Sequence, residues 1–317
     1  MRIDGVDVEA VFGCVPRNAV DNLSVLSELV GREKAESIVR ATGFTTRRVA
    51  SAGCDVFDLM LPAAQRAMDG VSVEDIGGIV AVSFSGRDRF PALSARLQNA
   101  LGLGRDVAAY DLSMACSGWI YGLLSAVQLV KSSGRKVLLV DGDVQSAWTD
   151  GTDVATLAVM GDGAAATLLA PGDAAWEFGF LTDGSGAGTL VCRDRIEMDG
   201  FGVFRFVAGS VRRFLDSFVR RSAVIADASP VFVPHQANMY MVRQLADALG
   251  LKNWLAAGRR YANTGSCSAA LALADEGIGG LDGGRPVPVL LAGFGAGLSA
   301  AAAATTLCGF RRGVVEL

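Results

Sequence analysis

The chain is poor in the residues that build metal sites. It has one histidine, His235, in 317 residues, and none of its six cysteines forms a CxxC pair. Zinc sites are assembled from several His or paired Cys ligands, so that scarcity argues against one. The cysteines at 14, 54, 116, 192, 267 and 308 are scattered. A chain this long builds its own core without disulfide staples, so free thiols in a reducing cytoplasm are expected. No charge of one sign dominates either. The 29 Lys and Arg against 33 Asp and Glu leave a net charge of −4, which argues against nucleic acid as a partner. There is no charge block and no Pro/Ser-rich linker. MRIDGVDVEA at the N-terminus has early acids and no apolar core, so no signal peptide is expected. Residues 286–310 hold no charge and are long enough to span a bilayer. Pro288 and a GFGAG turn interrupt them, so two buried strands around a glycine turn are expected and no membrane span.

What is present is apolar. Hydrophobic residues make up 51% and there are 39 glycines. That composition suits a large core with tight turns and close packing of helix on strand. Strand-length runs alternate with helical patterns: IGGIVAVSF (76–84), then ALSARLQNALG (92–102), DVAAYDL (106–112), SGWIYGLLSAVQLVKSSG (117–134) and KVLLVDGDV (136–144). The second half repeats the theme, with helical spacing over 209–223 and 238–250, and strands at 230–235 and 286–297. Such alternation predicts βαβ units and a mostly parallel sheet. YDLSMACSGWIYGLLSA (110–126) and YANTGSCSAALALADEG (261–277) echo one another, as a duplicated α/β unit would leave behind.

Any chemistry that needs imidazole has only His235, at the end of the apolar strand in VFVPHQAN. Ligands gather at such strand ends, although a lone histidine is often a satisfied structural residue. Cys116 falls at a strand-to-helix turn, where unpaired N–H groups and the helix dipole favour a thiolate nucleophile. Cys267 has a similar setting, and position alone does not choose between them. Asn263 precedes a helix, as an N-cap does. It is equally suited to donate to a developing oxyanion. The GFGAG loop offers backbone N–H groups at Gly295, Ala296 and Gly297. Too little chain follows it for a dinucleotide-binding unit.

Taken in order, DLSMACSGWIYGL, VPHQAN, ANTGS and GFGAG resemble the Cys, His and Asn motifs of ketoacyl-acyl-carrier-protein synthase III. MGDGAAATLL (160–169), IVRATGFTTRRVA (38–50), RFPALSARLQNALGL (89–103) and MDGFGVF (198–204) are similar to further segments of that family. The resemblance spans essentially the whole chain and puts the nucleophile at Cys116. It implies an α/β, thiolase-like fold: duplicated βαβ halves, 1–170 and 171–317, in a five-layered α-β-α-β-α sandwich. It further implies acyl transfer from a thioester to Cys116, then decarboxylative condensation with malonyl-acyl carrier protein, aided by His235 and Asn263. No metal or organic cofactor is implied. A homodimer is, with Phe90 reaching into the partner's acyl pocket. Pocket walls are expected at Gln145, Met160, Met198, Phe204 and Ala237, and carrier docking at Arg205, Arg212 and Arg213. The other reading is a Cys-dependent acyltransferase to a hydroxyl or amine.

The chain departs from the family where coenzyme A is held. The Trp and Arg around the adenine read Ser37 and Ala41 here, a further Arg reads Val154, and the Arg after HQAN is replaced by Tyr240. A carrier-bound or specialised donor is therefore expected. Arg87 and Arg89 in SGRDRF, with Gln145, suggest a polar pocket for an acyl chain that ends in an acid.

Overall fold

The computed structural model describes residues 1–226, 228–279 and 285–317. Its strands are β1 (Arg2–Val15), β2 (Ala19–Asp21), β3 (Thr46–Arg48), β4 (Ile76–Val82), β5 (Ala108–Leu112), β6 (Lys136–Val144), β7 (Asp162–Thr182), β8 (Leu190–Cys192), β9 (Ile196–Met198), β10 (Val231–Pro234), β11 (Val287–Gly295), β12 (Ser299–Leu307) and β13 (Arg311–Glu316). Its helices are α1 (Asn22–Val30), α2 (Arg32–Thr42), α3 (Val56–Ala67), α4 (Leu93–Ala100), α5 (Gly118–Ser133), α6 (Val154–Leu157), α7 (Gly200–Phe206), α8 (Arg212–Arg221), α9 (Met239–Ala248), α10 (Gly258–Tyr261) and α11 (Ser268–Glu276).

The apolar runs became strands because both of their faces are covered. In β4, Val80 and Val82 face one apolar cluster and Ile79 and Ala81 face another. The same alternation divides Leu139 from Leu138 in β6, Leu291 from Leu290 in β11, and Ala301 from Ala300 in β12. The period of two puts successive side chains on opposite faces. The alanine run at 300–304 is therefore strand; small side chains on both faces let helices approach closely, and packing overrides alanine's weak strand propensity.

β7 joins the two halves of the sheet. Its residues 162–169 pair antiparallel with β6, and 177–182 with β12, while β1 runs antiparallel beside it. Position 170 falls within this strand. On one side β6 pairs with β4 and β4 with β5, all parallel; on the other, β10 runs parallel to β11. Residues of α5 and α11 share one core with the inward faces of both sheet portions. α3 and α4 cover the outer face of one portion, and α7, α8 and α9 cover that of the other. The result is α-β-α-β-α layering with two central helices.

The uncharged stretch 286–310 is β11 and β12 joined by a glycine turn. Among the described residues, no helix is long and apolar enough to cross a membrane. The helix expected at 209–223 differs in its start. Helical backbone begins at Gly200, capped by Asp199 accepting from Gly202 N–H at 3.0 Å, and passes through a π-helical stretch, Val207–Val211, into α8. Gly209 sits inside that widened turn. A lone glycine there reads as a helix boundary, and burial of Phe206, Val207, Val211 and Leu215 on one side carries the helix across it.

Candidate active site

Two of the candidate site residues, Cys116 and Asn263, sit at the tips of the two central helices. Each helix is preceded by a 3₁₀ turn: Ala115–Ser117 leads into α5, and Gly265–Cys267 leads into α11. Cys116 lies on the first, next to Ala115 at φ 43°. The end of β11 passes directly beside it. A Cβ added at Gly295 would lie 2.9 Å from Cys116 Cβ and 3.2 Å from its Sγ, and one at Gly293 would lie 2.8 Å from Ser117 Cα. Only glycine lets that strand approach Cys116 so closely.

Asn263 precedes the second turn. Its Oδ1 accepts from Gly265 N–H at 3.0 Å, which leaves the side-chain amide as a donor. Its backbone is clamped by Gly161 N–H, which donates to Asn263 O at 2.8 Å, and by Gln145 Nε2, which donates to the same oxygen at 2.6 Å. His235 follows β10. Its Nδ1 lies 2.6 Å from Ser268 Oγ, and its ring meets Phe294 edge-on with centroids 5.4 Å apart. With Nδ1 held by the buried Ser268, Nε2 is the nitrogen left for the cavity.

Cys116, His235 and Asn263 line one cavity of about 850 Å³. Gly295, Ala296, Gly297, Gln145, Met160, Met198 and Ala237 line it too. Gln145 faces it, but its Nε2 is committed to Asn263 O and Gly161 O. Phe90 and Phe204 do not line it. Phe90 is 86% exposed on the loop before α4. Phe204 lines a smaller groove between α7 and α9, with Arg212 and Met241. Arg205, Arg212 and Arg213 are exposed along the same helical course. Cys267 is fully buried away from the cavity, with Sγ donating to Thr264 O at 3.1 Å. Among the described residues, no disulfide joins any of the six cysteines. Among the described residues, no group of three or more His, Cys, Asp or Glu is placed to hold a metal ion.

Burial sets the electrostatics, and it reverses one expectation. The helix dipole was expected to favour a thiolate at Cys116. Instead, burial, and secondarily the charge of Asp143, push the thiol up to about 12. Burial likewise pushes His235 down to about 3, against a backbone hydrogen bond with Gly265. The resting site is thus a neutral thiol beside a neutral imidazole. Sequence reasoning also missed Asp143 and Ser268. Asp143 had a signal: an acid inside the apolar run KVLLVDGDV is costly unless it is tied down. Ser268, a small polar residue in an apolar helix, had almost none.

This fold and this cavity define a cysteine-dependent acyltransferase of the thiolase type. The family model described as 3-oxoacyl-[acyl-carrier-protein (ACP)] synthase III matches residues 110–184, and its C-terminal counterpart matches 220–307. The chain is 32% identical to the β-ketoacyl-[acyl-carrier-protein] synthase III of Geobacillus kaustophilus over 309 residues, covering 93% of this chain and 96% of that relative. It is 35% identical to the Serratia proteamaculans enzyme of the same name over 284 residues, 83% of this chain and 88% of that one. The crystal structure of a 3-oxoacyl-(acyl-carrier protein) synthase from Burkholderia xenovorans LB400 superposes with a TM-score of 0.93 at 27% identity, covering 100% and 98% of the two chains. The chain belongs to the β-ketoacyl-[acyl-carrier-protein] synthase III family of condensing enzymes.

Proposed function

We propose that Cys116 takes an acyl group from a thioester and passes it to the two-carbon unit of malonyl-acyl carrier protein. Cys116 Sγ attacks the acyl carbonyl, the donor's C–S bond breaks, and the thiol proton leaves with the departing thiolate. In the second half-reaction the malonyl C–CO2 bond breaks and its electron pair becomes an enolate. That enolate attacks the acyl-Cys116 carbonyl. The new C–C bond forms, the Cys116 thioester breaks, and a 3-oxoacyl-carrier product departs.

The observation that carries this reading is the Asn263 side chain, whose oxygen is occupied by Gly265 N–H and whose amide is free beside His235 and Cys116. Ser268 Oγ already accepts from Gln236 N–H at 3.1 Å. We assign its proton to His235 Nδ1, which puts the imidazole N–H on Nε2. Two donors then meet the malonyl thioester oxygen as charge develops, and each is worth about 10²–10³ in rate. The Cys116 N–H and one from Gly295–Gly297 are suited to the tetrahedral intermediate. Transfer to a hydroxyl or amine needs a base and no second oxyanion donor, so the free Asn263 amide favours condensation.

The same reading gives 1–170 and 171–317 as the two halves, a homodimer with Phe90 at the interface, a cytoplasmic location, and carrier docking at Arg205, Arg212 and Arg213. Intact mass after incubation with acyl-CoA and acyl-carrier thioesters, beside Cys116→Ala, tests it. One acyl adduct, lost in Cys116→Ala, followed by CO2 release with malonyl-carrier, is expected. An adduct that survives Cys116→Ala refutes the assignment.

A further inference from the structure

The cavity that holds Cys116 is one-signed. Its charged walls are Arg87, Arg89 and Arg193, and among the described residues no Asp or Glu lines it. The chain as a whole is acidic, at −4, so this is no reflection of the background. Both segments that supply the arginines alternate Arg with Asp, and only the arginines line the cavity. Asp88 lies 3.8 Å from Arg96 instead, and Asp194, exposed as Arg193 is, does not line it. Two of the three guanidiniums have contacts. Arg87 Nη2 donates to Gly53 O at 2.5 Å, and Arg193 lies 3.7 Å from the exposed Glu197. Arg89 has no hydrogen bond or ion pair among the described residues. Arg89 is exposed at the cavity wall and so available to an anion entering it, and a pocket lined by one sign of charge concentrates ions of the other.

The rest of the wall limits which anion fits. Phe84, Trp148, Ile196 and Met198 give the same cavity an apolar lining. A run of methylenes ending in a carboxylate meets both features at once, and neither a plain short acyl group nor a free inorganic anion does. Resting on the acyl-transfer reading above, we propose that the donor is the monothioester of a dicarboxylic acid, with Arg89 as the main carboxylate-binding residue and Arg193 as its neighbour on the β8–β9 hairpin. The other oxyanion a thioester donor brings is the phosphate of a coenzyme A or pantetheine arm, and the test must separate the two.

Single-turnover acylation, followed by intact mass, does so with butyryl and glutaryl thioesters on both coenzyme A and N-acetylcysteamine, which has no phosphate. Glutaryl transfer is expected to outpace butyryl on both carriers. In Arg89→Ala the glutaryl-to-butyryl ratio is expected to fall about tenfold, the scale of one charge-assisted hydrogen bond, and to recover in part in Arg89→Lys. Equal rates for the two acyl groups overturn the proposal. So does an Arg89→Ala defect confined to coenzyme A thioesters and the same for both acyl groups, which assigns the arginine to phosphate. No adduct from any donor removes the Cys116 reading itself, and this inference with it.

Discussion

The Asp143 carboxylate accepts two hydrogen bonds from Ser266, from its backbone N–H at 3.1 Å and from its hydroxyl at 2.9 Å. Its other oxygen accepts from Ser83 Oγ, Phe84 N–H and Ser85 Oγ. One fully buried side chain thus ties the loop that carries Arg89 and Phe90 to the turn that follows Asn263. Asp143→Asn turns an amide N–H2 toward these donors. It is expected to lower stability by about 2–4 kcal/mol, read as a shift in urea midpoint. A variant that unfolds at the wild-type midpoint contradicts this role.

Gly295 sets the distance between β11 and Cys116. Gly295→Ala pushes a methyl toward Cys116 Cβ and Sγ. Single-turnover acylation is expected to slow by about 10–100-fold, since small displacements of a reacting atom carry that cost. An alanine variant that acylates at the wild-type rate shows that the strand has room to move.

Burial raises the resting Cys116 thiol, against the pull of the helix dipole. With Cys116 pushed up to about 12, its thiolate is scarce at neutral pH. Alkylation of Cys116 by iodoacetamide at pH 7.5 is expected to run more than about a hundredfold slower than that of a free cysteine, and to climb with pH without a plateau up to about pH 10. Peptide mapping after labelling reads this out. A plateau near pH 7 means the thiol is activated in the resting enzyme.

Asp141 neighbours Asp143 on the inner face of β6. It is fully buried, and neither carboxylate oxygen has a partner in another described residue. Burial, with the charge of Asp143 second, holds its pKa well above the usual carboxylate range. The folded state therefore binds this proton more tightly than the unfolded chain, whose value is about 3.9. The group's stability is fully present below about pH 3.9 and is lost as pH rises toward the folded value. Asp141→Val is expected to gain about 1–3 kcal/mol more at pH 7 than at pH 4. Denaturation of both proteins at the two pH values decides it, and the same gap at each refutes it.

The legible parts of this molecule were those where chemistry and backbone geometry need the same residue. The glycine turn offers N–H groups at Gly295, His235 ends an apolar strand, and Cys116 and Asn263 precede the two central helices; the cavity gathers these four. Less legible was what depends on partners distant in the chain. Gln145 read as a pocket wall, yet its amide holds Asn263 O from 118 positions away. Phe204 read as pocket and lines the neighbouring groove, because the helix that carries it starts at Gly200 and turns it toward α9. Local position shows the dipole at Cys116 and conceals the burial that opposes it.

The position of the two central helices also governs when the thiol becomes buried. Cys116 is walled by Gly293 and Gly295, which are translated long after it. A ribosome emits the N-terminal half first, so the growing chain exposes a cysteine with neither its imidazole nor its amide donor. The walls around Cys116 exist only once the last strands close over the helix tips, so a truncated or stalled chain presents the same thiol without the burial that raises its pKa.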